Sequence, residues 1–245
     1  MENDKKIAVL IDADNVSEKY IKFIFDEIPN HGTATYKRIY GDWTTPQLTP
    51  WKNVLLNYSI NPIQQYSYTT GKNSTDSALI IDAMDILYSK NVDGFCIISS
   101  DSDFTRLAAR LREAGMYVIG MGEKKTPTPF ISACEKFKYL EVLAGNITTV
   151  NNTDKILEKQ QSPKEELANL GELIKSIKNI ITESSDEEGF ANLGEVGNKL
   201  NMRYPDFDTR NYGYSKLSSF ISSLNKFEIL SGKTNRGETL VKNKK

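Results

Sequence analysis

The stretch CIISSDSDFTRLAARLREAGMYVIGMG, Cys96–Gly122, decides the fold. Cys96–Ser99 read as a buried strand that runs straight into two carboxylates, Asp101 and Asp103. A helical pattern starts at once behind them in FTRLAARL, Gly115 stands where a left-handed helix cap is wanted, and MYVIGM follows as a second apolar strand. Strand, helix and strand in this order specify a parallel crossover unit. In an open parallel sheet, ligands bind beyond the carboxyl ends of the strands. A surface loop accounts for one aspartate, but two at alternate positions on the mouth of a buried strand raise the question of a metal site.

The same alternation extends outward from about Ile7 to Leu140. Strands are expected at residues 7–11, 34–40, 60–66, 94–99 and 116–121, and helices at about 17–27, 46–57, 75–89 and 103–114. The helix from Thr75 is the clearest, because Leu79, Ile80, Ala83, Ile86 and Leu87 recur at helical spacing behind a Ser74 or Thr75 cap. The first strand ends in IDADN, which puts Asp12, Asp14 and Asn15 at its mouth, while Asp76 lies in the first turn of the Thr75 helix. Three segments thus bring carboxylates toward one crevice. Like charges so close resist joint ionisation unless a cation sits among them, and hard oxygen donors suit Mg2+ or Mn2+. Taken singly, Asp14 and Asp103 also read as helix caps. Asp82 and Asp85 lie further along the helix, off the face of Asp76, and read as solvated or supporting groups. His31 is assigned no role.

The chain has 245 residues, 39% of them apolar, and a formal charge of -1, so no overall basic field recruits nucleic acid. Two cysteines without a CxxC pair and a single histidine argue against zinc sites and disulfide scaffolds. The amino-terminal apolar run is too short for a signal peptide or a membrane span, which suggests a cytoplasmic protein without membrane association. The expected division is a first domain over residues 1–144, a polar linker over 145–170 that includes Pro163, and a second domain over 171–245. In the last of these, residues 172–181, 192–200 and 214–227 read as short helices ahead of a hairpin in EILSGKTNRGETLVK, a winged-helix-like arrangement. Arg203, Arg210 and Lys216 interleave with Tyr204, Tyr212 and Tyr214, which suits phosphate contact and base stacking, although tyrosines can equally belong to the module's core.

The motifs IDADN, KNSTDSALIIDAMDILY and CIISSDSDFTRLAARLREAGMYVIGMG together resemble the NYN domain, a PIN-like ribonuclease family, over about residues 5–142. The resemblance implies a Rossmann-like parallel sheet with flanking helices and metal-dependent cleavage of RNA. The family's acidic positions fall on Asp12, Asp76, Asp101 and Asp103, and its motif asparagine on Asn15. Ser100 stands where members often carry glycine. FANLGEVGNKLNMRYPDFDTRNYGYSKLSSFI resembles the OST-HTH or LOTUS module, which implies RNA binding.

The expected chemistry is hydrolysis of single-stranded or structured RNA with Asp12, Asp76, Asp101 and Asp103 as metal ligands. Asn15 would orient a water or phosphate. Lys72, Lys124 and Lys125 are candidates for backbone contact beside the site. Two alternatives stay open: a non-catalytic RNA-binding or scaffold protein, and a metal-dependent phosphatase using the DxD of IDADN on small phosphate esters. Homo-oligomerisation is open as well.

Overall fold

The computed structural model describes residues 4–66, 74–145, 163–231 and 238–244. The chain divides into two compact units, residues 1–146 and 147–245. The first is an α/β unit built on six parallel strands: β1 (Lys6–Asp12), β2 (Thr33–Gly41), β3 (Asn61–Gln64), β4 (Gly94–Ile98), β5 (Tyr117–Gly122) and β6 (Lys136–Tyr139). Their order is β3-β2-β1-β4-β5-β6, with every neighbouring pair parallel. The chain starts in the middle and winds outward in both directions, so the switch point falls between β1 and β4.

Central parallel strands are covered on both faces and therefore read as unbroken apolar runs. Ile7, Ala8, Val9, Leu10 and Ile11 of β1 are all fully buried. Ile7, Val9 and Ile11 meet α1 (Ile21–Glu27), α2 (Lys52–Leu55) and α6 (Leu140–Leu143) on one face. Ala8 and Leu10 meet α3 (Ser74–Ser89), α4 (Thr105–Glu113) and α5 (Thr128–Ala133) on the other.

Five strands and the main helices lie where the sequence places them, and Gly115 closes α4 at φ +80°. The differences have local causes. Pro46 and Pro50 turn most of the expected second helix into a 3-10 segment, Pro46–Trp51, ahead of the single α turn of α2. β3 shortens to four residues at the sheet edge, where Pro62 is tolerated. β6 was not expected, because KFKY alternates lysine with aromatics and shows only half an apolar face. Gly122 has a steric reason to lack a side chain: a Cβ there would come within 2.6 Å of the Ser99 carbonyl oxygen and 2.5 Å of Thr126 Oγ1.

The second unit packs α7 (Pro163–Ser184), α8 (Leu193–Arg203) and α9 (Leu217–Ser223) with a small antiparallel sheet of order β7-β9-β8. Its strands are β7 (Phe190–Asn192), β8 (Phe227–Ser231) and β9 (Thr239–Asn243), around a core that includes Ile177, Ile180, Val196, Leu200, Phe220 and Val241. α7 already begins at Pro163, inside the stretch read as linker, with proline at the first helical position, where its missing N–H costs nothing. The last expected helix is shorter than its pattern, because Phe227 leaves it to start β8. Among the described residues no helix is long and apolar enough to cross a membrane.

Candidate functional site

At the switch point the mouths of β1 and β4 are joined through a serine. Asp12 ends β1 with no exposed surface, yet its carboxylate is well supplied with donors. Ser99 Oγ donates to Oδ2 at 2.7 Å, Asn15 Nδ2 donates to the same oxygen at 2.8 Å, and the Asp14 amide donates to Oδ1 at 3.1 Å. Burial pushes the Asp12 carboxyl above the usual range, and the Ser99 and Asn15 hydrogen bonds pull it back. Ser99 Oγ in turn accepts the Asp101 amide at 3.0 Å, so one buried hydroxyl ties the two strand mouths together.

Asp101 begins the next turn. Its Oδ1 caps the short 3-10 segment Ser102–Phe104 by accepting the Asp103 amide at 2.9 Å, so the cap is Asp101 and Asp103 lies in the first turn. Asp14 is exposed and does not cap the first helix: the residue ahead of that helical segment is Ser17. Asp76 is half-buried in the first turn of α3. One carboxylate oxygen from each of Asp76, Asp101 and Asp103 lies within 4.8 Å of the others. Desolvation, followed by the charges of Asp12, Asp101, Asp103 and Asp14, holds the Asp76 carboxyl up at about 6. Mutual repulsion among hard oxygen donors is the condition that a small divalent cation relieves, so these residues fit such an ion.

The other candidates divide by surroundings. Asn15 spends its amide on Asp12. Lys124 and Lys125 are exposed beyond β5, where the Lys124 amide donates to the Glu141 carboxylate at 3.0 Å and Lys125 Nζ lies 2.8 Å from Glu123. Lys72 lies outside the described residues. Ser100, where glycine is frequent in the resembled family, accepts the Glu123 amide at 2.8 Å and so fixes the start of that lysine loop. In the second unit, Arg210 is folded back on Asp208, with Nη2 at 2.7 Å from Oδ2, and Arg203 Nη2 lies 2.9 Å from Glu183. Tyr214 is partly buried against the core. Tyr212 stacks on Phe220 at 4.7 Å between centroids yet remains 39% exposed, and Lys216 is exposed.

Sequence reasoning missed Ser99 and the partners of Asp82. A serine closing an apolar run looks like the end of a strand. Asp82 accepts from Arg38 Nη1 and from the Tyr40 hydroxyl, both on β2. His31, left without a role, lies near Glu27 and Tyr117, with Nδ1 3.2 Å from the tyrosine oxygen.

The family model of the NYN domain matches residues 6–141, and that of the OST-HTH/LOTUS domain matches residues 162–238. Among solved structures, a protein of unknown function from Vibrio parahaemolyticus is 18% identical, with a TM-score of 0.47, over 56% of this chain and 93% of that one. An uncharacterized protein from Nitrosomonas europaea is 29% identical, with a TM-score of 0.27, over 40% of this chain and 89% of that one. Among curated proteins the chain has no match.

Proposed function

The chain belongs to the NYN domain family, with an OST-HTH/LOTUS domain behind it, and from that premise we propose that it is a metal-dependent ribonuclease whose second domain holds the RNA. The family supports nuclease-type hydrolysis and the second domain supports RNA binding. The observation that carries the finer reading is the convergence of Asp76, Asp101 and Asp103 within 4.8 Å at the switch point. These three would hold Mg2+ or Mn2+, and Asp12, buried at the base of the site with both oxygens hydrogen-bonded, adds a fourth negative charge beside them. Such an ion, when bound, supplies charge neutralisation at a phosphodiester and acidifies a bound water.

The protein's own groups then have distinct tasks. Ser99 and Asn15 hold Asp12 in one orientation at the base of the site. The Asp101 cap fixes Asp103 in the turn that starts α4. Lys124 and Lys125 are exposed cations beyond the neighbouring strand, suited to backbone phosphates. The phosphatase alternative needs an aspartate nucleophile at the DxD, and Asp12 lacks the access for in-line attack, being fully buried with both oxygens hydrogen-bonded.

Cleavage of a labelled single-stranded RNA by the full chain tests the reading. Activity is expected with Mn2+ or Mg2+ and is expected to vanish with chelator. Asp76→Asn and Asp101→Asn should each lower the rate by at least two orders of magnitude, a loss of about 3 kcal/mol in transition-state stabilisation. Metal-dependent stabilisation without cleavage of any RNA form would favour the scaffold reading.

A further inference from the structure

α3 carries Asp76 in its first turn, and it is held to the sheet by polar contacts as well as by apolar packing. Its inner face is apolar, with Leu79, Ala83, Ile86 and Leu87 buried against the strands. Apolar contact is non-directional and does little to set the roll of a helix about its axis. One flank of α3, however, carries Asp82, and both oxygens of that carboxylate are engaged by β2. Arg38 Nη1 donates to Oδ1 and the Tyr40 hydroxyl donates to Oδ2. Arg38 and Tyr40 are two residues apart and so lie on one face of the strand. Arg38 also lies over the Tyr36 ring, 5.3 Å from its centroid.

Tyr40 is fully buried and is the register partner of Asp12 in the β1–β2 pairing. The clamp therefore starts from the strand position beside the site's buried acid and ends on the helix that carries Asp76. Asp82 lies six residues beyond Asp76, about 9 Å along the axis and two-thirds of a turn around it. A fixed point at that offset determines both the rotation and the axial position of the first turn. The Arg38 and Asp82 side chains are only 28% and 20% exposed. A partly buried ion pair of this kind contributes little net stability, so its interest lies in the fixed hydrogen-bond geometry it gives the helix.

We propose that Asp82, Arg38 and Tyr40 form a positioning cluster that sets Asp76 within reach of Asp101 and Asp103, so that divalent-cation affinity at the switch point depends on it. The inference rests on the metal reading above.

The test uses the full chain and follows the melting temperature and binding heat as Mn2+ is added. Asp82→Ala should raise the Mn2+ concentration at half-effect about tenfold or more, the usual consequence of removing a group that supports a ligand. Tyr40→Phe, which keeps the buried ring and removes only the hydroxyl, should raise it less. Ile86→Val, which loosens the same helix without removing a clamp group, should lower stability without moving the midpoint, an outcome that a merely structural role for the clamp would share with all three variants. If Asp82→Ala does not fold, Tyr40→Phe decides alone. A wild-type response retained at the same midpoint in the folded clamp variants overturns the inference and leaves the metal site standing. No Mn2+ response in the wild type overturns the metal reading and takes this inference with it.

Discussion

Asp76 is the residue whose ionisation the fold resists most visibly among the proposed ligands. Burial and four neighbouring carboxylates hold it at about 6, against 3.8 for the free side chain. A carboxyl raised in the folded state binds its proton more tightly there than in the unfolded chain. Its contribution to stability is therefore present below the unfolded value and is lost as pH rises through about 6. In chelator, Asp76→Asn should raise stability at pH 7.5 by roughly 1–2 kcal/mol after discounting for solvent screening, and should change little near pH 3.5. Urea melts at the two pH values check this, and a gain that is the same at both would remove the electrostatic cause. That Asp12, Asp76, Asp101 and Asp103 stand at strand mouths and first helical turns was legible in the sequence, because such places can be located from periodicity. Ser99 was not, since its meaning depends on Asp12, 87 positions away. Asp82 was equally opaque, because its partners Arg38 and Tyr40 stand 44 and 42 positions earlier.

At the scale of elements, the central strands and α3 and α4 were readable because each is apolar on a face that matches its period. β6 and β7 were not, being short and half-polar, and their place is set by the neighbours they pair with. β5 shows how closely the elements meet beneath the site. Its Gly122 faces the Ser99 carbonyl, and added bulk there would displace the backbone that holds Ser99 and, through it, Asp12. Gly122→Ala should therefore lower stability by about 1–3 kcal/mol in chemical denaturation. A melt indistinguishable from wild type would mean that β5 shifts freely to make room.

At the scale of the molecule, two units of different construction share one chain, and the acidic site and the proposed RNA-holding surface belong to different ones. Residues 163–245 alone should bind RNA with an affinity that falls steeply with salt, and Lys216→Ala should reduce the slope by about one unit. Absence of binding across single-stranded and duplex RNA would point to a protein partner for this unit. The strand order of the first unit has a consequence for the protein's biosynthesis. β1 is made first and β4 last of the pair that must meet, so Ser99 emerges 87 residues after the aspartate it contacts. At a synthesis rate of 5–20 residues per second, that gap is on the order of ten seconds. Closing so long a loop is slow as well as late. A ribosome-bound chain that has exposed β1 to β3 holds Asp12 without Ser99, Asp101 and Asp103, so the acidic cluster cannot assemble until the fourth strand has left the tunnel.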